Sequence, residues 1–201
     1  MPLFKNTYQT ESNRLKNWDY SSEAIYFITL VAQNRKCIFG AIDNDKMLLN
    51  DNGKIIETEL LKSITIRERW FFHNWVIMPN HIHLLVEIIS LSDTETHDVD
   101  THDAETHDAE THCSASLQLE SESKSSKLSR KPNSISSFVA IFKSVTTKQI
   151  NVMMNHDANI IWQSNYHDHI VRNYNSFNTI YHYIKNNPKN WNTDSINSSS
   201  E

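Results

Sequence analysis

The chain has 201 residues, enough for one domain with a sizeable hydrophobic core, and its formal charge is −5. No apolar run approaches the roughly 18 residues of a membrane helix, and the N-terminal stretch lacks the apolar middle of a secretion signal, so we expect a cytoplasmic protein without membrane segments. Two cysteines without metal-type spacing fit a reducing compartment.

The acidity belongs to one segment. Residues 92–123 contain ten acidic residues and no lysine or arginine; without them, 19 basic residues face 14 acidic ones, a formal charge of +5. The mildly basic remainder allows a polyanionic partner without requiring one. The segment repeats THDVD-THDAE-THDAE, and its period of five suits neither a helix nor a strand. Together with the serine-rich residues that follow, it predicts a disordered insertion over residues 92–133.

Before the insertion, β-branched and aromatic runs separated by turn signals predict three strands and one helix. In chain order these are a strand at 24–31, a helix at 54–66 after an Asn52-Gly53 turn, and strands at 71–78 and 81–89 joined by a Pro79-Asn80 turn.

After the insertion, Ser134 is expected to begin a helix with one apolar stripe, and residues 160–162 a short strand. A last helix begins near Asn175-Ser176 and ends before Pro188, because proline disfavours helix in the preceding residue. Residues 192–201 are expected to form a disordered tail. The order predicts an α+β fold, with a ferredoxin-like antiparallel sheet and helices packed on one face.

Two histidines interrupt the apolar run of the third strand. Side chains alternate between the faces of a strand, so His81 and His83 share one face while Ile82, Leu84 and Val86 point to the core. Two imidazoles about 7 Å apart along a strand can converge on one divalent ion. Spacing alone leaves open that they are two unrelated polar residues on a half-exposed strand.

The last helix offers side chains that complete such a site. At helical spacing, its core stripe consists of Phe177, Ile180, Tyr181 and Ile184. Tyr183 and Asn187 lie one turn apart on a flank of that stripe. Tyr183 is therefore better placed than Tyr181 to present its hydroxyl, although a single tyrosine at such a position is often just a residue at the edge of the core.

The run at residues 74–83, Asn-Trp-Val-Ile-Met-Pro-Asn-His-Ile-His, resembles the histidine-hydrophobe-histidine (HUH) signature of single-tyrosine transposases. More specifically, the chain resembles the REP-associated tyrosine transposases. Further blocks match that group in order, at residues 19–21, 26–29, 32–35, 37–40, 142–144, 161–163, 166–170, 172–173 and 183–188. The resemblance implies a single HUH transposase-like domain over residues 14–191, with the insertion inside it.

The resemblance implies roles for particular residues. His81, His83 and Asn187 would bind Mg²⁺ or Mn²⁺, and Tyr183 would be the nucleophile, with Tyr166 and Tyr181 as rival tyrosines. The implied activity is that of a metal-dependent single-strand DNA endonuclease and strand transferase, which forms a 5′-phosphotyrosine at hairpin-type DNA sites. The expected partner is single-stranded or hairpin DNA, bound by a monomer or a homodimer. The residues expected to contact DNA are Lys143, Lys148, His169 and Arg172.

Four alternatives stay open from the sequence. An inactive or domesticated member would bind structured nucleic acid without cleaving it. A hydrolase of small molecules would need a carboxylate to activate water, and in the strand Glu87 shares the face of His81 and His83. A metal-binding scaffold would use the histidines of the repeat. His167 and His169, which share a face by alternation, could hold a second metal ion.

Overall fold

The fold is known from a computed structural model, which describes residues 18–89, 131–155 and 159–197 and the backbone of two short N-terminal strands. The strands are β1 (Leu3–Phe4), β2 (Thr7–Tyr8), β3 (Ala24–Val31), β4 (Gly40–Asp43), β5 (Lys46–Leu49), β6 (Trp70–Ile77), β7 (His81–Ile88) and β8 (His167–Val171). The helices are α1 (Asp51–Thr65), α2 (Ile135–Met153) and α3 (Tyr174–Asn186), and 3-10 turns occupy Gln33–Arg35 and Pro188–Thr193. Most of the predicted insertion at 92–133 lies outside the described residues.

The central sheet has four antiparallel strands in the order β6-β7-β3-β8. Counted along the chain, these are the second, third, first and fourth strands of the sheet, with α1 and α2 in the crossovers, which is the ferredoxin-like arrangement. The predicted α+β class and sheet type are confirmed.

The fourth strand of the sheet is β8 and not the strand expected at residues 160–162. Trp162 makes an isolated bridge with Ala32 instead. The Gln33 amide donates to the Ile161 carbonyl, and the Gln163 amide donates to the Val31 carbonyl. This segment therefore contacts only the C-terminal end of β3 and is not a strand of the sheet.

Helices cover both faces of the sheet. The larger core lies under α1 and α2, and its buried members include Tyr26, Ile28, Ile82, Leu84, Ile56 and Phe138. A smaller cluster under α3 contains Leu85, Val171 and Ile184, with Ile25 and Phe27 packed against it. The helices were expected on one face. The third helix lies on the other because the strands are apolar on both sides, and α3 buries the second side.

Each helix begins at a side chain that caps it. Asn50 accepts a hydrogen bond from the Gly53 amide (3.0 Å), Ser134 from Ser137 (3.2 Å) and Asn173 from Ser176 (2.8 Å). A cap of this kind stabilises a helix by about 1 kcal/mol, because it pairs an amide that has no partner within the helix. The predicted start at Ser134 is confirmed, whereas the first helix starts at Asp51 and not at residue 54. The last helix ends at Asn186, before Pro188, as predicted.

A hairpin of β4 and β5 was not predicted. Asn44 and Asp45 form its turn with left-handed backbone (φ 47° and 61°), a conformation that Asn and Asp adopt more readily than most residues. At Gly40 (φ 146°), an added Cβ would lie 2.1 Å from the Leu48 carbonyl oxygen, so glycine is required. The Phe39 amide donates to the Pro79 carbonyl over 3.0 Å, which anchors the hairpin to the turn before His81.

The expected disordered tail is structured over its described part, residues 192–197. Asp194 and Asn197 are buried. The side-chain Nδ2 of Asn197 donates to the Trp191 carbonyl (3.0 Å), and the side-chain Nδ2 of Asn80 donates to the Ile196 carbonyl (2.9 Å). These polar contacts hold a segment whose composition alone suggested disorder. Among the described residues, no helix has the length and apolar character needed to cross a bilayer.

Candidate metal and nucleophile site

The site begins with the two histidines of β7. Ile82 and Leu84 point into the larger core, so alternation turns His81 and His83 to the face covered by α3. Both imidazoles are buried, at 0% and 2% exposure, and their ring centroids lie 4.5 Å apart. They are therefore not polar residues on a half-exposed strand, and they converge as a shared ligand would require.

The third helix brings Tyr183 to these histidines. Its hydroxyl lies 3.2 Å from His83 Nε2, and the residue is 39% exposed, so a substrate can reach it. Tyr181 instead packs within the smaller core, with its ring stacked on Phe177 at 6.1 Å. Asn187, one turn beyond Tyr183, is buried where α3 meets the Pro188–Thr193 turn.

A carboxylate that the sequence did not predict completes the cluster. Asp194 Oδ2 lies 3.0 Å from Asn187 Nδ2, 3.4 Å from the Tyr183 hydroxyl and 4.0 Å from His81 Nε2. Its other oxygen accepts from the Ile196 amide at 2.7 Å. The one sequence signal was Trp191 and Pro188 in a polar stretch, which indicates an anchored segment. Glu87, the carboxylate considered from the sequence, instead pairs with His73 at 2.7 Å.

Hydrogen bonds from the Pro79-Asn80 turn and from β3 orient the two imidazoles. Asn80 donates through Nδ2 to the carbonyls of Arg35 and Ile196, so its Oδ1 must accept from His81 Nδ1 at 2.8 Å. His81 therefore carries its proton on Nδ1 and presents a lone pair at Nε2. Thr29 Oγ1 lies 2.8 Å from His83 Nδ1 and can hold that ring in the same way.

Several buried side-chain atoms make no hydrogen bond within the described part of the chain, and two of them are acceptors of residues at this site. They are His81 Nε2 and Asn187 Oδ1. Ligand atoms of His81, His83 and Asp194 all lie within 4.8 Å of one another, and no other such group of three occurs among the described residues. Lone pairs and a carboxylate gathered in a buried space are a donor set that fits a divalent cation.

Burial shapes the protonation of the site. It lowers the pKa of His81 to about 4, although Asp194 and Asn187 oppose the shift. It lowers the pKa of His83 well below the ordinary value, with repulsion from His81 acting in the same direction. Burial also raises the pKa of Tyr183 to about 12, with the Asp194 charge adding to the effect. At neutral pH both imidazoles are therefore neutral and the phenol keeps its proton.

The four residues expected to contact DNA lie on two sides of the sheet. His169 is exposed on β8 and pairs in register with Phe27, whose ring is 6.2 Å from that of Tyr183. Arg172, just after β8, lines a small pocket together with Phe177 of α3. Lys143 and Lys148 lie on α2 beside a cleft of about 940 Å³. Lys143 Nζ donates to the carbonyls of Gln163 and Asn165, so it ties the chain together there.

The other residues weighed from the sequence lie apart from this site. Tyr166 packs against the larger core and lies under Lys143 Nζ at 5.8 Å. His167 and His169 are both exposed on β8, and they belong to no three-residue ligand group of the described chain.

A relative in Haemophilus influenzae is 34% identical over 187 residues, which cover 92% of this chain and 91% of the relative. The chain belongs to that protein's family. The relative is described only as an uncharacterized protein, so membership in the family does not assign an activity. No protein-family model matches the sequence.

The fold is that of a REP-associated tyrosine transposase. A solved structure of such a protein, bound to a REP hairpin, matches with a TM-score of 0.50 at 16% identity, over 91% of this chain and 74% of that one. A transposase candidate from Deinococcus radiodurans R1 matches at 13% identity over 87% of this chain and 97% of that chain. Its TM-score of 0.39 is too low to support a conclusion. At these identities the likeness concerns the fold alone.

Proposed function

We propose that the protein is a metal-dependent endonuclease and strand transferase for single-stranded DNA, acting at hairpin-type sites as a tyrosine transposase. One observation carries the proposal: the hydroxyl of Tyr183, a partly exposed side chain, lies 3.2 Å from His83 Nε2, at the edge of a buried cluster of metal-ligating side chains. The shared fold with a transposase whose structure includes a REP hairpin supports the choice of DNA as substrate.

We assign Mg²⁺ or Mn²⁺ as the cofactor, held by His81, His83, Asn187 and Asp194. Imidazole nitrogens together with carboxylate and amide oxygens suit Mn²⁺, whereas Mg²⁺ prefers oxygen ligands. When bound, the ion supplies Lewis-acid polarisation of the scissile phosphate and offsets the charge that develops on it. Asn80 and Thr29 keep the Nε2 lone pairs of the imidazoles directed into the site.

Tyr183 carries its proton at neutral pH and must lose it to attack. Asp194 Oδ2, 3.4 Å from the hydroxyl, is positioned to accept that proton. The Tyr183 oxygen then forms a bond to phosphorus, the bond between phosphorus and O3′ breaks, and the 3′-oxygen takes up a proton and leaves as a hydroxyl. The product is a 5′-phosphotyrosine. A 3′-hydroxyl of another strand reverses the step and rejoins DNA without water or ATP.

The DNA strand is proposed to cross the face that carries α3. His169 lies on this face and Arg172 beside Phe177 of α3, where they can contact phosphates on the way to Tyr183. Lys148, exposed beside the cleft on α2, is the proposed contact for a hairpin on the other side of the sheet. Lys143 is proposed to shape that cleft through its two carbonyl contacts.

A covalent adduct with DNA tests the function. Wild-type protein is mixed with Mn²⁺ and a pool of labelled hairpin oligonucleotides that carry randomised single-stranded flanks. We expect a protein–DNA adduct resistant to denaturation, mapped to Tyr183, and its absence in Tyr183→Phe and after addition of a chelator. Tyr181→Phe is the matched control, since it removes a phenol on the same helix that faces the core.

The same assay separates the alternatives. A protein that only binds structured nucleic acid would retain the hairpins without forming an adduct. A hydrolase would release product without a covalent intermediate. Asp194 gives this alternative a basis, because it supplies a carboxylate at the site that could activate water. Either result would overturn the proposed transesterification.

A further inference from the structure

A second cleft, of about 390 Å³, opens beside the candidate site. It is lined by Gly40, Asn44, Asp45, Pro79, Trp191 and Asn192, among others. The Trp191 ring stands between this cleft and the site, because its centroid lies 6.0 Å from that of His81. A group in the cleft is therefore one side chain away from the proposed metal ligands.

The cleft is held in a fixed position relative to the site. The Phe39 amide bonds to the Pro79 carbonyl, so the β4–β5 hairpin is tied to the turn that leads into Asn80 and His81. On the other wall, the 3-10 turn with Trp191 continues into Asp194, whose backbone amide donates to the Trp191 carbonyl. Two parts of the cleft lining thus continue along the chain into ligands of the site, Pro79 into His81 and Trp191 into Asp194.

The lining suits a flat aromatic ligand with polar edges. The Trp191 indole, Pro79 and Gly40 offer apolar surface, and Asn44, Asp45 and Asn192 offer hydrogen-bonding groups. A phosphate is a poor fit, because Asp45 is exposed in the cleft and Asp43 lies two residues away with the same charge. Stacking on an indole is a general way to hold an unpaired nucleobase.

We propose that this cleft binds an unpaired nucleobase of the DNA strand near the scissile phosphate, and that Asp45 selects bases carrying an exocyclic amino group. The inference rests on the proposed function. A carboxylate accepts a hydrogen bond from the amino group of cytosine or adenine, whereas thymine presents a carbonyl oxygen at that edge. Asp45 is a specificity residue in this scheme, and Trp191 is the stacking platform.

The test uses affinity rather than cleavage. Tyr183→Phe protein with Mn²⁺ is titrated with fluorescent hairpins in which each of the nucleotides nearest the cleavage position is in turn A, C, G, T or abasic. We expect one position at which thymine or an abasic residue weakens binding by about tenfold. Adding Asp45→Asn should abolish the discrimination against thymine, because an amide can also donate. Asparagine tolerates the left-handed backbone of residue 45, so the turn should be kept.

Asp43→Asn is the matched control, since it removes the same charge from the same hairpin outside the cleft lining. It should keep the preference of the parent protein. Equal binding of all bases at every position would overturn the proposal, as would a preference that survives Asp45→Asn or one that Asp43→Asn also removes. If an adduct forms but binding does not discriminate between bases, the cleft proposal is wrong and the nuclease proposal stands. If binding discriminates between bases but no adduct forms, the nuclease proposal is wrong and the cleft still binds a base.

Discussion

Asn187 Nδ2 donates to Asp194 Oδ2 over 3.0 Å, and this bond determines which way the asparagine amide faces. Because the nitrogen is turned to Asp194, the amide oxygen is left without a hydrogen bond in the described structure. Asn187 is also close enough to His81 to raise the pKa of that imidazole. Asp194 thus has two effects in the proposed site. It contributes a carboxylate and orients the neighbouring ligand.

Asp194→Asn is therefore predicted to weaken Mn²⁺ binding by at least about tenfold, since it removes the one carboxylate of the cluster and frees the Asn187 amide. Mn²⁺ affinity is measured by titration followed by electron paramagnetic resonance. Asp51→Asn is the control, because Asp51 is an exposed carboxylate at the start of α1. Equal affinities in the two variants would remove Asp194 from the set of ligands.

The sequence predicts the parts of this site that depend on local periodicity. Strand alternation places His81 and His83 on one face, and helical spacing puts Tyr183 one turn from Asn187. The structure places all four together. Asp194 was missed because Pro188 and Trp191, the local signals, do not single out a carboxylate: its burial depends on contacts of residues 191–197 with Asn80 and Arg35, far apart in sequence. A polar composition gave the wrong expectation for that segment.

In the fold, too, the elements marked by local signals could be predicted and the others could not. Three long strands and three helices could be predicted because apolar periodicity, caps and Pro188 are local signals. The short hairpin at residues 40–49 has strands of four residues each, too short for alternation to stand out, and its Asn44-Asp45 turn lacks glycine. The strand at residues 167–171 was obscured because three polar residues begin it.

Thr29→Val is predicted to lower Mn²⁺ affinity by about tenfold with a loss of stability near 1 kcal/mol, because it removes the hydroxyl that orients His83 and keeps a β-branched shape. Thr146→Val makes the same chemical change at a buried hydroxyl that pairs with Trp162 Nε1 at 2.9 Å, away from the site. Urea unfolding and Mn²⁺ titration are compared for the two. A fall in affinity of similar size in Thr146→Val would mean that the Thr29 effect is merely destabilisation.

Deleting residues 92–123 is predicted to leave Mn²⁺ affinity and adduct formation within about twofold of the full chain. The sheet and the proposed ligands come from the residues on either side, since β3 pairs with both β7 and β8. The removed residues carry ten carboxylates and no basic group, so binding of DNA should become somewhat tighter at low salt. If metal binding disappears with the repeat, its histidines and not His81 and His83 hold the metal.

The metal-free protein is predicted to lose stability as the pH falls from about 7 to 5. The pKa of His81 is about 4 in the folded state and about 6.5 when unfolded, so between these values the unfolded chain binds more protons. The difference is roughly 2 kcal/mol for His81 between pH 7.5 and pH 5, and burial of His83 acts in the same direction. Urea unfolding in the presence of a chelator measures the slope.

Two variants show whether this slope comes from the buried site. His81→Gln should flatten the decline above pH 5, because the group that takes up the proton on unfolding is gone. His169→Gln, which replaces an exposed histidine, should leave the slope as it is in the parent. Since Asp194 is the acidic group that faces His81, a decline that becomes steeper in His81→Gln would mean that the folded imidazole is already protonated near neutral pH and paired with that carboxylate. His81 would then have no lone pair to offer a metal ion near neutral pH.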